Sequence, residues 1–337
     1  MTKFSRSTSK VSEKKQKIVL SIQDLRIHFY TYAGVVKAID GIKLDIYKGE
    51  TLGLVGETGC GKSVTASAIL KLVDSPGKIV GGKVLFEGED LLEKNEREMR
   101  KIRGGKIAII FQDPTTYLDP VYKIGDQITE VIREHQKPAS KQELRKSAVE
   151  ALKLVQLQDP ERLVESYPHE LSTGMRQRVM IAMMLCCHPT LSIADEATTA
   201  LDVTVQAQIL RLMEELKKKL NMSMLFITHN LGVVATICDR VAVMYAGKIV
   251  ELGSKFDVFD NPLHPYTKGL LGAIPRFDQD FEKELAVIPG TLPNLINPPE
   301  GCRFYDRCGS KSTECRLTEP ELREIEDGHY VSCYNQN

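Results

Sequence analysis

Eight residues, GETGCGKS at positions 56–63, constrain this chain more than any other stretch. The apolar run TLGLV precedes them, and KSVTASAILKLV reads as a helix that follows. A strand ending in a glycine-rich loop that opens a helix aims successive backbone N–H groups and the positive end of the helix dipole at one point. That arrangement suits a phosphate group. In this reading Gly56, Glu57, Thr58, Gly59, Cys60 and Gly61 form the cradle. Lys62 reaches the β- and γ-phosphates, and Ser63 ligates Mg2+.

The rest of the chain alternates in the way such a loop requires. Residues 18–47 read as two or three strands. Further strands are expected at KVLFEG, KIAIIFQ, TLSIAD (190–195), MSMLFIT and RVAVMYAG. Helices are expected at about 123–135, 141–157, 175–187 and 204–220. Leu144, Ala148, Leu152 and Val155 recur at helical spacing, as do Val205, Ile209, Leu212, Leu216 and Leu220, and both sets read as core stripes. Strands alternating with helices predict an α/β domain with a mostly parallel central sheet. After about residue 255 prolines gather, Pro275 among them, and periodicity fades. A small C-terminal appendage is expected there. A chain of 337 residues has room for it beyond one domain of roughly 100–200 residues.

Charge and hydropathy narrow the function classes. Lysine plus arginine equals aspartate plus glutamate, 45 of each, which argues against a chain-wide electrostatic grip on nucleic acid. No apolar run approaches the ~18–20 residues that span a bilayer. Residues 1–17 are polar and basic, unlike a secretory signal, and are expected to be a disordered tail. A cytoplasmic protein that meets a membrane only through partners is the expectation.

A phosphate loop alone leaves kinases, GTPases and ATPases open. In LSIADEATTALD (191–202) an apolar strand ends in two acids. Asp195 is placed to hold Mg2+, and Glu196 to orient or deprotonate an attacking water. LSTGMRQR (171–178) precedes it, and Ser172 is placed to cap a helix whose first N–H groups point outward. The phosphate loop, FQDP (111–114), LSTGMRQR, ADEATTALD and ITH (227–229) stand in the order and rough spacing of ABC-transporter ATPase subunits, which the chain resembles over about residues 18–275.

The resemblance implies a P-loop ABC ATPase fold for residues 18–255. It comprises a parallel-core sheet, an antiparallel β subdomain and a helical subdomain at about 115–175. It implies that Gln112 joins Ser63 and Asp195 around Mg2+ and relays to the membrane partner, and that His229 contacts the γ-phosphate. Tyr32 is implied to stack on adenine. Ser172, Thr173, Gly174 and Asp202 are implied to act across a dimer, completing the ATP site of an opposing ATPase subunit. Two departures stand out. Thr173 replaces a glycine of the usual signature, and Ala197 replaces the proline of the usual DEPTT. A β-branched residue crowds backbone that must approach phosphate closely, so the composite site built with this signature is expected to be weakened.

Cys302, Cys308, Cys315 and Cys333 cluster near the C-terminus. Disulfides do not suit a cytoplasmic ATPase. The gaps lack the close pairs usual for zinc, and a [4Fe–4S] cluster tolerates irregular gaps, so both metals stay open on chemistry, with free thiols third. NPLHPYTKGLL, IPGTLPNL and GCRFYDRC resemble the C-terminal extension of the oligopeptide and dipeptide branch of ABC importers, here residues 256–337. That resemblance implies a [4Fe–4S] cluster on the four cysteines. Arg303, Arg307 and Arg316 either offset its charge or stand exposed, and His264 reads as an ordinary turn residue. It also implies a second, similar ATPase subunit, two transmembrane permease subunits and an extracellular substrate-binding protein, with the chain peripheral on the cytoplasmic face. Importers of nickel or another small solute share this sequence style. A soluble ABC ATPase acting on nucleic acid is the alternative of another class, and a phosphate-loop kinase would lack LSTGMRQR.

Overall fold

The computed structural model describes residues 17–137, 140–199, 201–274 and 287–335. The expected N-terminal tail lies outside these residues apart from Lys17, and so does Pro275. The strands are β1 (Ile18–Thr31), β2 (Gly34–Tyr47), β3 (Thr51–Val55), β4 (Gly77–Phe86), β5 (Glu89–Asp90), β6 (Ile107–Ile110), β7 (Leu191–Asp195), β8 (Ser223–Thr228), β9 (Arg240–Tyr245), β10 (Lys248–Ser254), β11 (Arg323–Glu326) and β12 (His329–Val331). They form a four-stranded sheet, β2-β1-β4-β5, and an eight-stranded sheet, β11-β12-β10-β9-β3-β8-β7-β6. The first is antiparallel. In the second, β6, β7, β8, β3 and β9 run parallel, so their C-terminal ends share one edge.

The parallel strands are largely apolar because both their faces are covered. On β8, Leu225 and Ile227 belong to one core and Met224 and Phe226 to the other, the period-2 alternation of a strand. The first core joins the central sheet to the antiparallel sheet and to α1 (Lys62–Ile69), through Ile27, Ile39, Leu54 and Ala66. Helix α1 ends short of the expected Val73, because Lys71 adopts a left-handed conformation with φ 53°.

Between β5 and β6 lies α2 (Glu96–Ile102), opened by a capping box of Asn95 and Glu98. A helical layer follows β6: α3 (Pro114–Tyr117), α4 (Ile124–His135), α5 (Lys141–Leu154), α6 (Pro160–Leu163) and α7 (Thr173–Leu185). Ile124, Ile128 and Ile132 recur every four residues on α4, and Leu144, Ala148 and Leu152 do so on α5. Both stripes are buried in the second core with Val179 of α7. Helix α7 starts two residues earlier than expected, since Ser172 Oγ accepts the N–H of Met175 at its first turn. Helix α8 (Val203–Leu220) buries Ile209, Leu212 and Leu216 of its expected stripe, with Val205 and Leu220 partly covered. Helix α9 (Leu231–Ile237) leads into β9.

The C-terminal part docks on this body. Helices α10 (Lys255–Asp260) and α11 (Pro265–Gly272) follow β10, and α12 (Thr313–Leu317) precedes β11. Strand β12 pairs antiparallel with β10, Glu251 opposite Val331, so the cysteine-bearing segment extends the central sheet. Glu251 is fully buried. Its carboxylate accepts the N–H groups of Leu263 and His264 at 2.7 and 2.9 Å and lies 2.9 Å from His329 Nε2. Such a carboxylate is tolerated only because its oxygens are supplied with donors. Tyr245 of β9, Tyr266 of α11 and Phe304 pack ring on ring with centroids 4.6–5.4 Å apart.

Candidate functional site

The site grows from the shared C-terminal edge of β3, β8 and β7. Val55 is level with Thr228, and Asp195 with Ile227, so the segments that leave these strands emerge side by side. The loop after β3 turns sharply at Gly56, φ 154°, where a Cβ would stand 2.1 Å from the carbonyl oxygen of Met244. At Gly61, φ 113°, a Cβ would stand 2.5 Å from Ile39 Cδ1. Neither position accepts a side chain. Lys62 is buried, and its Nζ donates to the carbonyls of Gly56 at 2.8 Å and Glu57 at 3.0 Å, with Cys60 Sγ at 3.8 Å. The ammonium thus rests on the loop it would share with phosphate. Burial pushes the Cys60 thiol up, against the pull of Lys62, and keeps it an inert packing group.

Ser63 Oγ donates to Asp195 Oδ1 at 3.2 Å, joining the start of α1 to the end of β7. Burial, with Glu196 adding to it, holds the Asp195 carboxyl above the usual carboxylate range despite the Ser63 hydrogen bond. A half-buried carboxylate oxygen beside a hydroxyl is a donor pair for a hard cation. Glu196 has a left-handed backbone, φ 50°, and donates its N–H to the Ile227 carbonyl at 3.0 Å. Its Oε1 lies 3.2 Å from His229 Nδ1. Phosphate-loop lysine, hydroxyl, acid pair and histidine therefore converge on one edge.

Other expected site residues sit further out. Gln112 is exposed on the segment between β6 and α3, where Phe111 and Tyr117 stack at 3.8 Å. Burial, then Asp195 and Asp113, raise the Tyr117 phenol. Tyr32 is fully exposed in the turn between β1 and β2. The hydrogen bonds of Ser172 and Thr173 stay in the first turn of α7, to Met175 and Arg176. A Cβ on Gly174 would meet Val205 of α8 at 3.1 Å. Asp202 caps α8, accepting the N–H groups of Thr204 and Val205 at 3.0 and 2.9 Å. Ala197 is buried, and its carbonyl accepts the Gln177 side-chain amide at 2.6 Å. That bond links α7 to the segment bearing Glu196.

Cys302, Cys308, Cys315 and Cys333 face one cavity of about 10 Å³, enough for roughly one water as it stands. Burial pushes the Cys302 thiol up to about 12, and raises Cys308 and Cys333, with neighbouring thiols adding to it. Among the described residues, no three His, Cys, Asp or Glu side chains are set to hold one metal ion. Of the three arginines, Arg303 is buried against Asp40 at 2.6 Å and the Ala246 carbonyl, Arg307 pairs with Glu57, and Arg316 is exposed. His264 does more than fill a turn: it is buried and caps α11, its Nδ1 accepting the Tyr266 N–H at 3.0 Å.

Three residues here, Gln177, Tyr266 and Arg307, lie within LSTGMRQR, NPLHPYTKGLL and GCRFYDRC, yet the sequence did not assign any of them to the phosphate-loop site. Tyr266 accepts the Glu57 N–H at 2.9 Å from more than two hundred positions along the chain. The one signal for Arg307 was its place beside Cys308 in GCRFYDRC.

The ABC transporter family model matches residues 39–199, and that of the oligopeptide/dipeptide transporter C-terminal region matches residues 250–315. The chain is 50% identical over 327 residues to the probable peptide ABC transporter ATP-binding protein y4tR of Sinorhizobium fredii, with 97% of each chain covered. It is 52% identical to the oligopeptide transport ATP-binding protein OppD of Bacillus subtilis, covering 94% of this chain and 88% of that one. It is 45% identical to the dipeptide transport ATP-binding protein DppD of Escherichia coli, covering 94% and 96%. Among solved structures, a dimeric post-hydrolysis state of the ATP-binding cassette MJ0796 bound to ADP and Pi has a TM-score of 0.62 at 26% identity, covering 70% of this chain and 98% of that one. The cbiO1 subunit of Clostridium perfringens gives 0.63 at 28%, covering 73% and 92%.

Proposed function

Because the chain belongs to the ABC transporter ATP-binding family, in its oligopeptide and dipeptide branch, we propose that it hydrolyses ATP to power peptide import. The observation that carries this reading is the convergence of Lys62, Ser63, Asp195, Glu196 and His229 at the edge of β3, β8 and β7. Gly56 to Gly61 cradle the phosphates with backbone N–H groups, and Lys62 leaves its carbonyl partners for the β- and γ-phosphates. Ser63 and Asp195, with Gln112, would hold Mg2+, which would neutralise charge on the phosphoryl oxygens. Glu196 positions the attacking water, and His229 steadies its carboxylate while reaching for the γ-phosphate. Catalysis here is chiefly positioning and charge stabilisation.

Tyr32, exposed at its turn, is free to stack on adenine. The outward first turn of α7, with Ser172, Thr173, Gly174 and Asp202 near it, completes the site of an opposing subunit. ATP then acts as the adhesive between two chains, and its hydrolysis releases them. We read residues 18–255 as the ATPase domain, about 115–175 as its helical subdomain, and 256–337 as the extension of this branch. The opposing subunit is a second, similar ATPase, and the pair sits at the cytoplasmic face beneath two permease subunits fed by a substrate-binding protein. No helix of the described residues is long and apolar enough to cross a membrane.

The four C-terminal cysteines supply the thiolates of a [4Fe–4S] cluster in this proposal. All four line one cavity, and their donor set suits that cluster. Zinc is the lesser reading, since the sequence lacks the cysteine pairs two to four apart that are usual for structural zinc. Loading requires the walls to part from their present closeness. A cluster would also staple a segment with little core of its own, where Leu263, Val331 and Cys333 form a cluster apart from the two main cores.

The test is reconstitution of the full chain with its membrane subunits and partner ATPase in proteoliposomes. ATP-dependent accumulation of labelled peptide is expected. Accumulation of nickel but not peptide would move the substrate class, and failure to co-purify with the membrane subunits would overturn the transport reading.

A further inference from the structure

We infer that Arg307 is a positioning residue for the nucleotide site, holding the Glu57 carboxylate and cancelling its charge where a triphosphate must be accommodated. The inference deepens the ATP-site reading above and rests on it. Glu57 follows the first glycine of the phosphate loop. A free carboxylate there would repel a polyanion, and partial burial would leave that repulsion poorly screened.

The guanidinium answers it with a complete set of bonds. Nη1 and Nη2 donate to Glu57 Oε2 and Oε1 at 2.8 and 2.9 Å, a bidentate fork. Nε donates to the Pro289 carbonyl at 2.8 Å, Nη2 also approaches the Ile288 carbonyl at 3.4 Å, and Nη1 the Tyr245 hydroxyl at 3.4 Å. The rings of Tyr245 and Phe304 lie 5.7 and 5.9 Å from its centre. The Arg307 side chain is 7% exposed and that of Glu57 29%. The bond to Glu57 comes first among the causes that raise the Arg307 pKa.

Glu57 is held at its other end as well. Its N–H donates to the Tyr266 hydroxyl, and its carbonyl accepts from Lys62 Nζ. A shift of Glu57 therefore moves the lysine that meets the phosphates. Through Arg307 and Tyr266 the C-terminal part sets both the charge and the place of the loop.

The experiment measures equilibrium binding of a non-hydrolysable MgATP analogue to the full assembled transporter, with variants in this chain alone. Arg307→Gln is expected to weaken binding about tenfold or more at this chain's site. Arg307→Lys, which keeps the charge, recovers most of that loss. Arg307→Gln combined with Glu57→Gln recovers it too, since no bare carboxylate remains. Parental affinity in a folded Arg307→Gln variant, or a double variant no better than the single, overturns the inference. Should Arg307→Gln not fold, the double variant is read alone, and binding more than about tenfold weaker than parental overturns the inference. Lys62→Ala separates the two levels. Its expected loss of binding upholds the ATP-site reading whatever Arg307 does, whereas undiminished binding overturns that reading and the inference together.

Discussion

His229 Nδ1 lies 3.2 Å from Glu196 Oε1, joining the residue that follows β8 to the second of the two acids that close β7. The contact fixes the carboxylate while leaving the His229 side chain about half exposed. Removing the ring should loosen the carboxylate more than it weakens nucleotide binding. His229→Ala is expected to lower kcat for ATP about 100-fold or more with little change in KM, checked by steady-state ATP turnover of the assembled transporter.

Asp195 and Ser63 are the proposed cation pair, and partial burial holds the Asp195 carboxyl above its ordinary range. Mg2+ binds the deprotonated form. Mg2+ affinity should therefore weaken as pH falls through that raised value, at higher pH than an exposed aspartate would require. Asp195→Asn should raise the Mg2+ concentration for half-maximal turnover about 10–100-fold or more, checked by Mg2+ titration at saturating ATP.

Thr173 occupies the first position of α7, exposed, with Oγ1 3.4 Å from the Arg176 guanidinium. In the proposed composite site its methyl and hydroxyl would face an opposing subunit's phosphates. Thr173→Gly is expected to raise turnover of the assembled transporter severalfold, at a stability cost of about 0.3 kcal/mol. Unchanged turnover would show that the composite site using this signature is not weakened.

His264 is buried and held neutral, its pKa driven down to about 3 chiefly by burial, with Lys268 adding to it. The unfolded chain takes up this proton near pH 6.5 and the folded chain does not. The group's stabilisation is therefore present above about pH 6.5 and is lost as pH falls toward 3. Between pH 6.5 and 5 the loss is about 2 kcal/mol. His264→Asn keeps a side-chain acceptor at the cap and should flatten this part of the curve, checked by denaturant unfolding of the full chain at several pH values.

The phosphate loop, the acid pair and most strands were legible because their signal is local. Each is a short run whose spacing fixes its conformation, and a parallel strand such as β8 carries an unbroken apolar run from Met224 to Ile227 because both faces are covered. Helix ends were less legible. Nothing in the period of α1 announced that Lys71 would turn left-handed and stop it. The C-terminal part was the least legible. The prolines suggested an appendage, yet β12 pairs with β10, and Arg303 and Arg307 reach Asp40 and Glu57 some 250 or more positions away. Pairings at that distance depend on topology, and no window of sequence contains both partners. An arginine beside a cysteine was therefore readable as a charge near a cluster, and not as a hand on the phosphate loop.

The central claim is that this chain's own carboxylate directs the hydrolysis that drives import, and single-turnover ATP hydrolysis by the reconstituted transporter carrying Glu196→Gln in this chain alone tests it most directly. Hydrolysis at this chain's site should fall about 100-fold or more, with ATP retained and peptide uptake halted. Hydrolysis at the parental rate, with uptake intact, would contradict it.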